Sequence, residues 1–92
     1  MTPAEIEVKV MQALTSVAPE VDAAAVQADL PLRDQVDLDS MDFLRFVVEL
    51  HRVIGVEVPE ADYPRLDTVS HARDYLASRL GQPRAVMTEG RP

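Results

Sequence analysis

Three segments of the chain repeat apolar residues at the spacing of an amphipathic helix. The first begins at Thr2, where Pro3 at the first helical position and Glu5 three residues after Thr2 form a helix start with a capping box. This helix is predicted to end near Val17, because Pro19 biases the residue before it away from the helical conformation. Its apolar stripe comprises Ile6, Val10, Leu14 and Val17, widened by Val8 and Met11.

The second and third periodic segments have clear start and stop signals. Asp39 and Ser40 open the second helix, and Gly55 is its expected C-terminal stop. Thr68 is expected to cap the last helix, and Gly81 to end it. The second stripe comprises Phe43, Phe46, Val47, Leu50 and Ile54, with Leu44 and Val53 at its edges. The last stripe comprises Val69, Ala72, Leu76 and Leu80, with Tyr75 beside it.

The connections between these helices differ in length. Residues 19–39 show no sustained period, so they are predicted to form a loop whose scattered apolar residues attach it to the core. Residues 22–26 can form one helical turn within it. A connection this long in a small domain is usually functional. After an extended stretch at residues 56–58, Pro59 can begin a short helix that Pro64 limits to about one turn.

The pattern predicts an all-α fold, a small four-helix bundle with three principal helices, one short helix before the last, and a long first loop. A chain of 92 residues is the length of one domain. Its hydrophobic content of 47% is enough for a packed core, which argues against global disorder. We predict a domain over residues 1–82 and a loose C-terminal tail over residues 83–92.

Charge and composition remove several functional classes. The formal net charge of −7 disfavours nucleic acid and anionic membrane surfaces as partners. No apolar run is long enough for a membrane span, and residues 1–5 do not resemble a signal peptide. The chain has no cysteine, which excludes disulfides, thiolate metal sites and a cysteine nucleophile. We therefore expect an acidic, monomeric, cytoplasmic protein.

Few residues could carry catalysis. His51 and His71 have no spacing that indicates a metal site, and lone histidines of this kind are usually structural or exposed to solvent. Asp37, Asp39 and Asp42 lie close together in the sequence. Such a cluster at a helix start is more typical of compensation of the helix dipole than of a metal site or an acid/base pair. The remaining candidate is the hydroxyl of Ser40. By itself, a serine at a helix start is usually an N-cap.

The surroundings of Ser40 change that interpretation. The run Asp37-Leu38-Asp39-Ser40-Met41-Asp42-Phe43-Leu44 resembles the modification site of acyl carrier proteins, as does the preceding Asp29-Leu30-Pro31-Leu32-Arg33-Asp34. The resemblance covers roughly residues 3–81 and includes helix order, loop lengths and acidity. It implies that Ser40 takes a covalent 4′-phosphopantetheine arm from coenzyme A through a phosphodiester. It also implies that Asp39 helps to position the magnesium ion of the transferase that attaches the arm.

The resemblance further implies a carrier without catalytic activity of its own. Its partners would be a phosphopantetheinyl transferase and acyl-loading, condensing or acyl-transfer enzymes of fatty-acid, polyketide or specialised lipid biosynthesis. A helix N-terminus suits the linkage, because its unpaired amides and partial positive charge stabilise a phosphodiester anion. The thiol would come with the arm, which agrees with the absence of cysteine. The long arm would raise the effective concentration of a tethered acyl group at a partner's active site.

The second helix is predicted to present a docking face for partner enzymes. Its outward positions are Met41, Asp42, Arg45, Val48, Glu49 and Arg52. The two apolar residues of this set, Met41 and Val48, suit a small apolar contact surrounded by charged groups. The acidic residues of the same face would steer basic partners. Two features depart from the family pattern. Asp37 replaces the usual glycine, and Arg45, His51 and Arg52 occur where fatty-acid carriers are strongly acidic, which indicates a specialised pathway.

Three alternatives remain open at this stage. One is a peptidyl or aminoacyl carrier, with the same fold and serine but other partners. Another is a non-catalytic helical interaction module in which Ser40 is a plain helix cap. A serine hydrolase is disfavoured because His51 lies three helical turns from Ser40. If the chain is a carrier, a cavity could shelter the acyl chain, lined by residues such as Leu44, Val47, Leu50 and Ile54.

Overall fold

The computed structural model describes residues 1–81, and all regular secondary structure in this range is helical. The long helices are α1 (Pro3–Val17), α3 (Ser40–Ile54) and α4 (Val69–Gly81), and the first loop contains the four-residue α2 (Leu32–Gln35). Two 3₁₀ segments, Ala23–Ala25 and Glu60–Leu66, complete the secondary structure of the described residues. The all-α prediction and the three principal helices are confirmed. The predicted tail at residues 83–92 lies outside the described residues.

The core forms where α1 packs against both α3 and α4, and α4 packs against the 3₁₀ helix before it. The fully buried side chains come from every long helix. The largest of them are Phe46, Ile6, Leu14, Leu50, Leu66, Leu76, Val10 and Val69. The predicted stripes therefore converge on one core, which leaves the opposite face of α3 free for other contacts.

Helix ends follow the sequence signals. In α1, the Thr2 N–H donates to Glu5 Oε1 at 2.7 Å, and the Glu5 N–H donates to Thr2 Oγ1 at 3.2 Å, which confirms the capping box. Gly55 ends α3 in the left-handed conformation, with φ of 84°, which side chains with a Cβ rarely adopt. Thr68 is buried, and its hydroxyl accepts a hydrogen bond from the His71 N–H at 2.9 Å.

Three predicted core positions are wrong. Val8, Leu44 and Leu80 are exposed rather than buried. Helical periodicity assigns a residue to a face only to within a fraction of a turn, and the edge of that face is decided by which neighbouring element covers it. Val8 is on a side of α1 that no other element covers within residues 1–81, although its position in the sequence widens the stripe.

The loops contain more structure than the sequence indicates. The predicted helical turn at residues 22–26 is present as the 3₁₀ segment Ala23–Ala25, but α2 was not predicted because four residues are too short to show a period. The helix before α4 extends over seven residues rather than one turn, with Pro64 inside it. Pro64 has no backbone N–H and so removes one hydrogen bond from this helix, while burial of Leu66 and packing against α4 keep the segment in place.

Among residues 1–81, no helix is long and apolar enough to cross a membrane.

Candidate functional site

The site begins at the N-terminus of α3, where Asp39 rather than Ser40 is the cap. The Asp39 Oδ1 atom accepts a hydrogen bond from the Asp42 N–H at 2.8 Å, and the Phe43 N–H donates to the Asp39 carbonyl at 2.9 Å. The backbone of Asp39 is extended, with φ of −84° and ψ of −178°, as an N-cap requires. The interpretation of Ser40 as a plain cap is therefore wrong, because a carboxylate one residue earlier performs that function.

Ser40 is the first residue of α3, and its side chain is exposed. Within residues 1–81, its hydroxyl makes no hydrogen bond, and the N–H groups of Ser40 and Met41 have no protein acceptor. These two amides lie at the positive end of the helix dipole. An exposed hydroxyl beside two free amides fits the attachment of a group through a phosphodiester, whose anionic oxygens such amides stabilise.

The loop before Ser40 is fixed by hydrogen bonds to other parts of the chain. Gln35 accepts from the Gln27 N–H at 2.6 Å and donates to the carbonyls of Gln27 at 2.8 Å and Leu30 at 2.9 Å. No sequence pattern indicates this role for Gln35, because glutamines occur in loops for many reasons. The side chain joins the two halves of the loop, which limits the positions available to the segment that ends at Ser40.

A second set of contacts ties the same loop to the start of α4. The Leu32 N–H donates to the Asp67 carbonyl at 2.8 Å, and the Ser70 N–H donates to the Ala28 carbonyl at 2.9 Å. The Ser70 hydroxyl also donates to Asp29 Oδ1 at 2.8 Å. The long first loop is therefore an ordered support for the site.

The outward side of α3 carries an apolar groove that begins beside Ser40. Met41, Leu44 and Val48 are exposed, and they line one wall. The end of α1 and the residues after it supply the other wall, with Ser16, Val17 and Pro19. Leu44 therefore belongs to this open groove rather than to an internal cavity, whereas the other three residues named for such a cavity (Val47, Leu50 and Ile54) are buried.

Charged side chains border the groove. Arg52 donates through Nε and Nη2 to Glu49 Oε1 at 3.0 and 2.8 Å, and the Ser16 hydroxyl donates to the same carboxylate at 3.2 Å. The hydrogen bond from Arg52 lowers the pKa of Glu49 from its ordinary value. Arg45 Nη1 lies 3.9 Å from Asp42 Oδ1, which is too far for a hydrogen bond. All six residues of the predicted docking face thus lie on one side of α3, away from the core.

Neither histidine is hydrogen-bonded to Ser40 within residues 1–81. His51 is exposed near the far end of α3, about 16 Å along the helix axis from Ser40 at the usual rise per residue. His71 lies at the surface, where its Nδ1 is 2.6 Å from Asp67 Oδ1, and this hydrogen bond lowers the pKa of Asp67. The hydrogen-bonded base that a serine hydrolase needs beside its nucleophile is therefore not present in the described part of the chain.

Comparison with known proteins gives the same picture as the geometry. A family model described as a phosphopantetheine attachment site matches residues 9–81. The chain is 36% identical over 64 residues to the acyl carrier protein of Renibacterium salmoninarum, covering 70% of this chain and 74% of the relative. It is 34% identical over 58 residues to the acyl carrier protein of Lactobacillus johnsonii, covering 63% and 72%. It is 30% identical over 66 residues to that of Rubrobacter xylanophilus, covering 72% and 82%.

A solved structure agrees as well. The acyl carrier protein of Enterococcus faecalis, described for its high thermal stability, superposes with a TM-score of 0.66 at 27% identity, covering 86% of this chain and 99% of that one. Fold, helix N-terminus and matches together define a phosphopantetheine-dependent carrier domain. The chain belongs to the acyl carrier protein family. Its prosthetic group is covalent 4′-phosphopantetheine, and members of the family are generally non-catalytic carriers that interact with a transferase and with biosynthetic enzymes.

Removing the cap of α3 should weaken the fold modestly. We expect Asp39→Ala to lower the free energy of unfolding by about 0.5–2 kcal/mol, because the Asp42 N–H loses its acceptor. Urea unfolding followed by circular dichroism measures the change. Asp39→Asn keeps a side-chain oxygen and should retain most of the stability. Equal losses in the two variants would show that the cap is not the stabilising feature.

Proposed function

We propose that Ser40 is the residue that carries the arm and that the chain presents acyl groups to enzymes as thioesters on its terminal thiol. The observation that supports this assignment is the exposed hydroxyl of Ser40, free of hydrogen bonds within residues 1–81, while Asp39 caps the helix. The Ser40 oxygen would bond to the phosphorus next to the pantetheine in coenzyme A. The pyrophosphate P–O bond would break, adenosine 3′,5′-bisphosphate would leave, and the serine proton would be lost to a base of the transferase.

The chain's own contribution to this step is electrostatic. The N–H groups of Ser40 and Met41, with the dipole of α3, would stabilise the negative charge of the new phosphodiester. Asp39 engages Oδ1 with the Asp42 N–H, and Oδ2 makes no hydrogen bond within residues 1–81. That free oxygen would face the magnesium ion of the transferase, as the family resemblance implies. The carrier adds no acid or base of its own to the transfer.

Intact mass is the direct test of the arm. After incubation with coenzyme A and a phosphopantetheinyl transferase, the protein should gain the mass of one phosphopantetheinyl group. Trypsin cleaves after Arg33 and Arg45, and the peptide of residues 34–45 contains Ser40 as its only hydroxyl-bearing residue. The added mass should therefore lie on this peptide. A mass gain on another peptide would show that a different residue carries the arm. No mass gain in a folded protein would favour the alternative of a helical interaction module.

The chemistry of the outward face of α3 supports assignment to a dedicated pathway rather than to housekeeping fatty-acid elongation. The guanidinium groups of Arg45 and Arg52 are exposed, at positions where the family resemblance implies that fatty-acid carriers are strongly acidic. Acyl transfer from the loaded protein to a bacterial elongation condensing enzyme tests this assignment. We expect the transfer to be much slower than from the enzyme's own carrier. Equal rates would place the protein in ordinary fatty-acid synthesis.

The groove beside Ser40 should matter for the first partner, the transferase. Val48→Asp places a charge on its apolar wall, and we expect kcat/KM for arm attachment to fall about tenfold, as for the loss of one central contact. The fold should survive, because Val48 is 65% exposed. Val8→Asp is the matched control, since Val8 is 57% exposed on α1. Equal kcat/KM values in the two variants would show that the groove does not take part in docking of the transferase.

A further inference from the structure

The most exposed charged groups on the docking face of α3 are cationic, although the whole chain is acidic. The helix carries two carboxylates and two guanidinium groups, whereas the chain has a net charge of −7. The two kinds of group are not equally accessible. The side chains of Arg45 and Arg52 are 67% and 66% exposed. Those of their acidic neighbours, Asp42 and Glu49, are 30% and 20% exposed.

Hydrogen bonding widens this difference. The Glu49 carboxylate already accepts hydrogen bonds from Arg52 and from the Ser16 hydroxyl, so little of its capacity remains for another molecule. Arg52 uses Nε and Nη2 in this pair, and its Nη1 donates to no acceptor within residues 1–81. Arg45 is 3.9 Å from Asp42 and keeps its donors available. A molecule that approaches this face therefore meets guanidinium donors before it meets carboxylates.

These cations lie on the same side of α3 as the apolar groove. Arg45 lines the groove with Met41, Leu44 and Val48, and Arg52 lies one turn beyond Val48. Arg45 and Arg52 are two turns apart, about 10 Å along the helix. The resulting surface is an apolar strip that begins at the residue next to Ser40, with one guanidinium group, that of Arg45, on its border and a second, that of Arg52, one turn beyond its last apolar residue.

We propose that this surface docks the enzymes that use the carrier through an apolar projection flanked by carboxylates, and not through a basic patch. This inference rests on the proposed function, because the groove leads to the site of the arm. A guanidinium group matches a carboxylate through two parallel hydrogen bonds, which gives orientation as well as attraction. The expectation that acidic residues of this helix steer basic partners is thereby replaced, since its carboxylates are the less accessible groups.

Two designed peptides test the charge preference. Both are amphipathic helices with one row of leucines. One carries glutamates beside the row, and its twin carries lysines at the same positions. At physiological salt, the arm-loaded protein should bind the glutamate peptide about tenfold more tightly, with amide chemical-shift changes at residues 41–52. At 1 M salt the difference should shrink, since the charges are exposed. Equal affinities, tighter binding of the lysine peptide, or shifts elsewhere would overturn the inference.

Charge reversal on α3 provides a second test of the charge preference. Arg45→Glu with Arg52→Glu should abolish or invert the preference. Arg33→Glu with Arg65→Glu is the matched control, because both arginines are exposed outside α3 and the change in net charge is identical. This control pair should keep the preference for glutamate, and its loss there would show a general charge effect. Intact mass of the same samples shows whether the arm is attached, so failure of the proposed function is seen separately from failure of this inference.

Discussion

Ser40→Ala should abolish attachment of the phosphopantetheine arm completely. The effect is all or none because the phosphodiester needs an oxygen nucleophile at this position, and alanine has none. The N–H groups that would stabilise the phosphate remain, as does the Asp39 cap. We therefore expect the variant to be folded and unmodified after incubation with coenzyme A and the transferase, as measured by intact mass.

The structure supplies controls that separate chemistry from folding. Ser78→Ala removes another exposed helical hydroxyl, on α4, and should leave the mass gain intact. Asp39 and not Ser40 caps α3. The free energy of unfolding of the Ser40→Ala protein should therefore differ from that of the unmodified parent by no more than about 0.5 kcal/mol, as for ordinary surface changes. A larger loss of stability would mean that the hydroxyl has a structural role. A retained mass gain would place the arm on another residue.

Ile54→Ala should lower the free energy of unfolding more than any other substitution proposed for this protein. Ile54 is 9% exposed in the last turn of α3, and truncation of a buried isoleucine to alanine costs about 2–5 kcal/mol. A domain of this length is stable by about 5–14 kcal/mol at the usual value per residue. The change therefore removes a large fraction of the total, and urea unfolding should show it as a clear shift of the midpoint.

Val48→Ala on the same helix is the matched comparison. Val48 faces the groove and is exposed, so its truncation should change the free energy of unfolding by about 0.5 kcal/mol or less. The contrast between the two positions measures the division of α3 into a core side and a docking side. A loss near zero for Ile54→Ala would remove that residue from the core.

The long helices could be predicted from the sequence because the residues that begin and end each of them are close together in the chain. The Thr2 capping box, the left-handed Gly55 and the Thr68 cap depend on residues within one helical turn of each other, and the structure contains all three. The repeated apolar positions fixed which side of α3 is buried. The motif around Ser40 gave the carrier family in the same way, because it is a continuous run of residues.

The fine structure of the site could not be read in this way. Two neighbouring residues, Asp39 and Ser40, can both cap a helix, and only backbone geometry shows that Asp39 does so while the hydroxyl of Ser40 remains free. The role of Gln35 depends on carbonyls five and eight residues away in a folded loop. Periodicity places an edge residue such as Leu44 in the interior because it does not show which element covers that residue, and the structure leaves Leu44 exposed.

The sequence alone determined the helical class, the core side of α3 and the family of carriers to which the chain belongs, since local spacing and short motifs encode all three. Only the tertiary structure decided what surrounds Ser40. Packing of the end of α1 against α3 creates the apolar groove. Pairing of Glu49 with Arg52 and Ser16 leaves guanidinium groups outermost. The Glu49–Arg52 pair is local to α3, but the Ser16–Glu49 hydrogen bond joins residues 33 positions apart. That contact and the groove therefore arise only when the chain folds and cannot be inferred from the order of residues along α3.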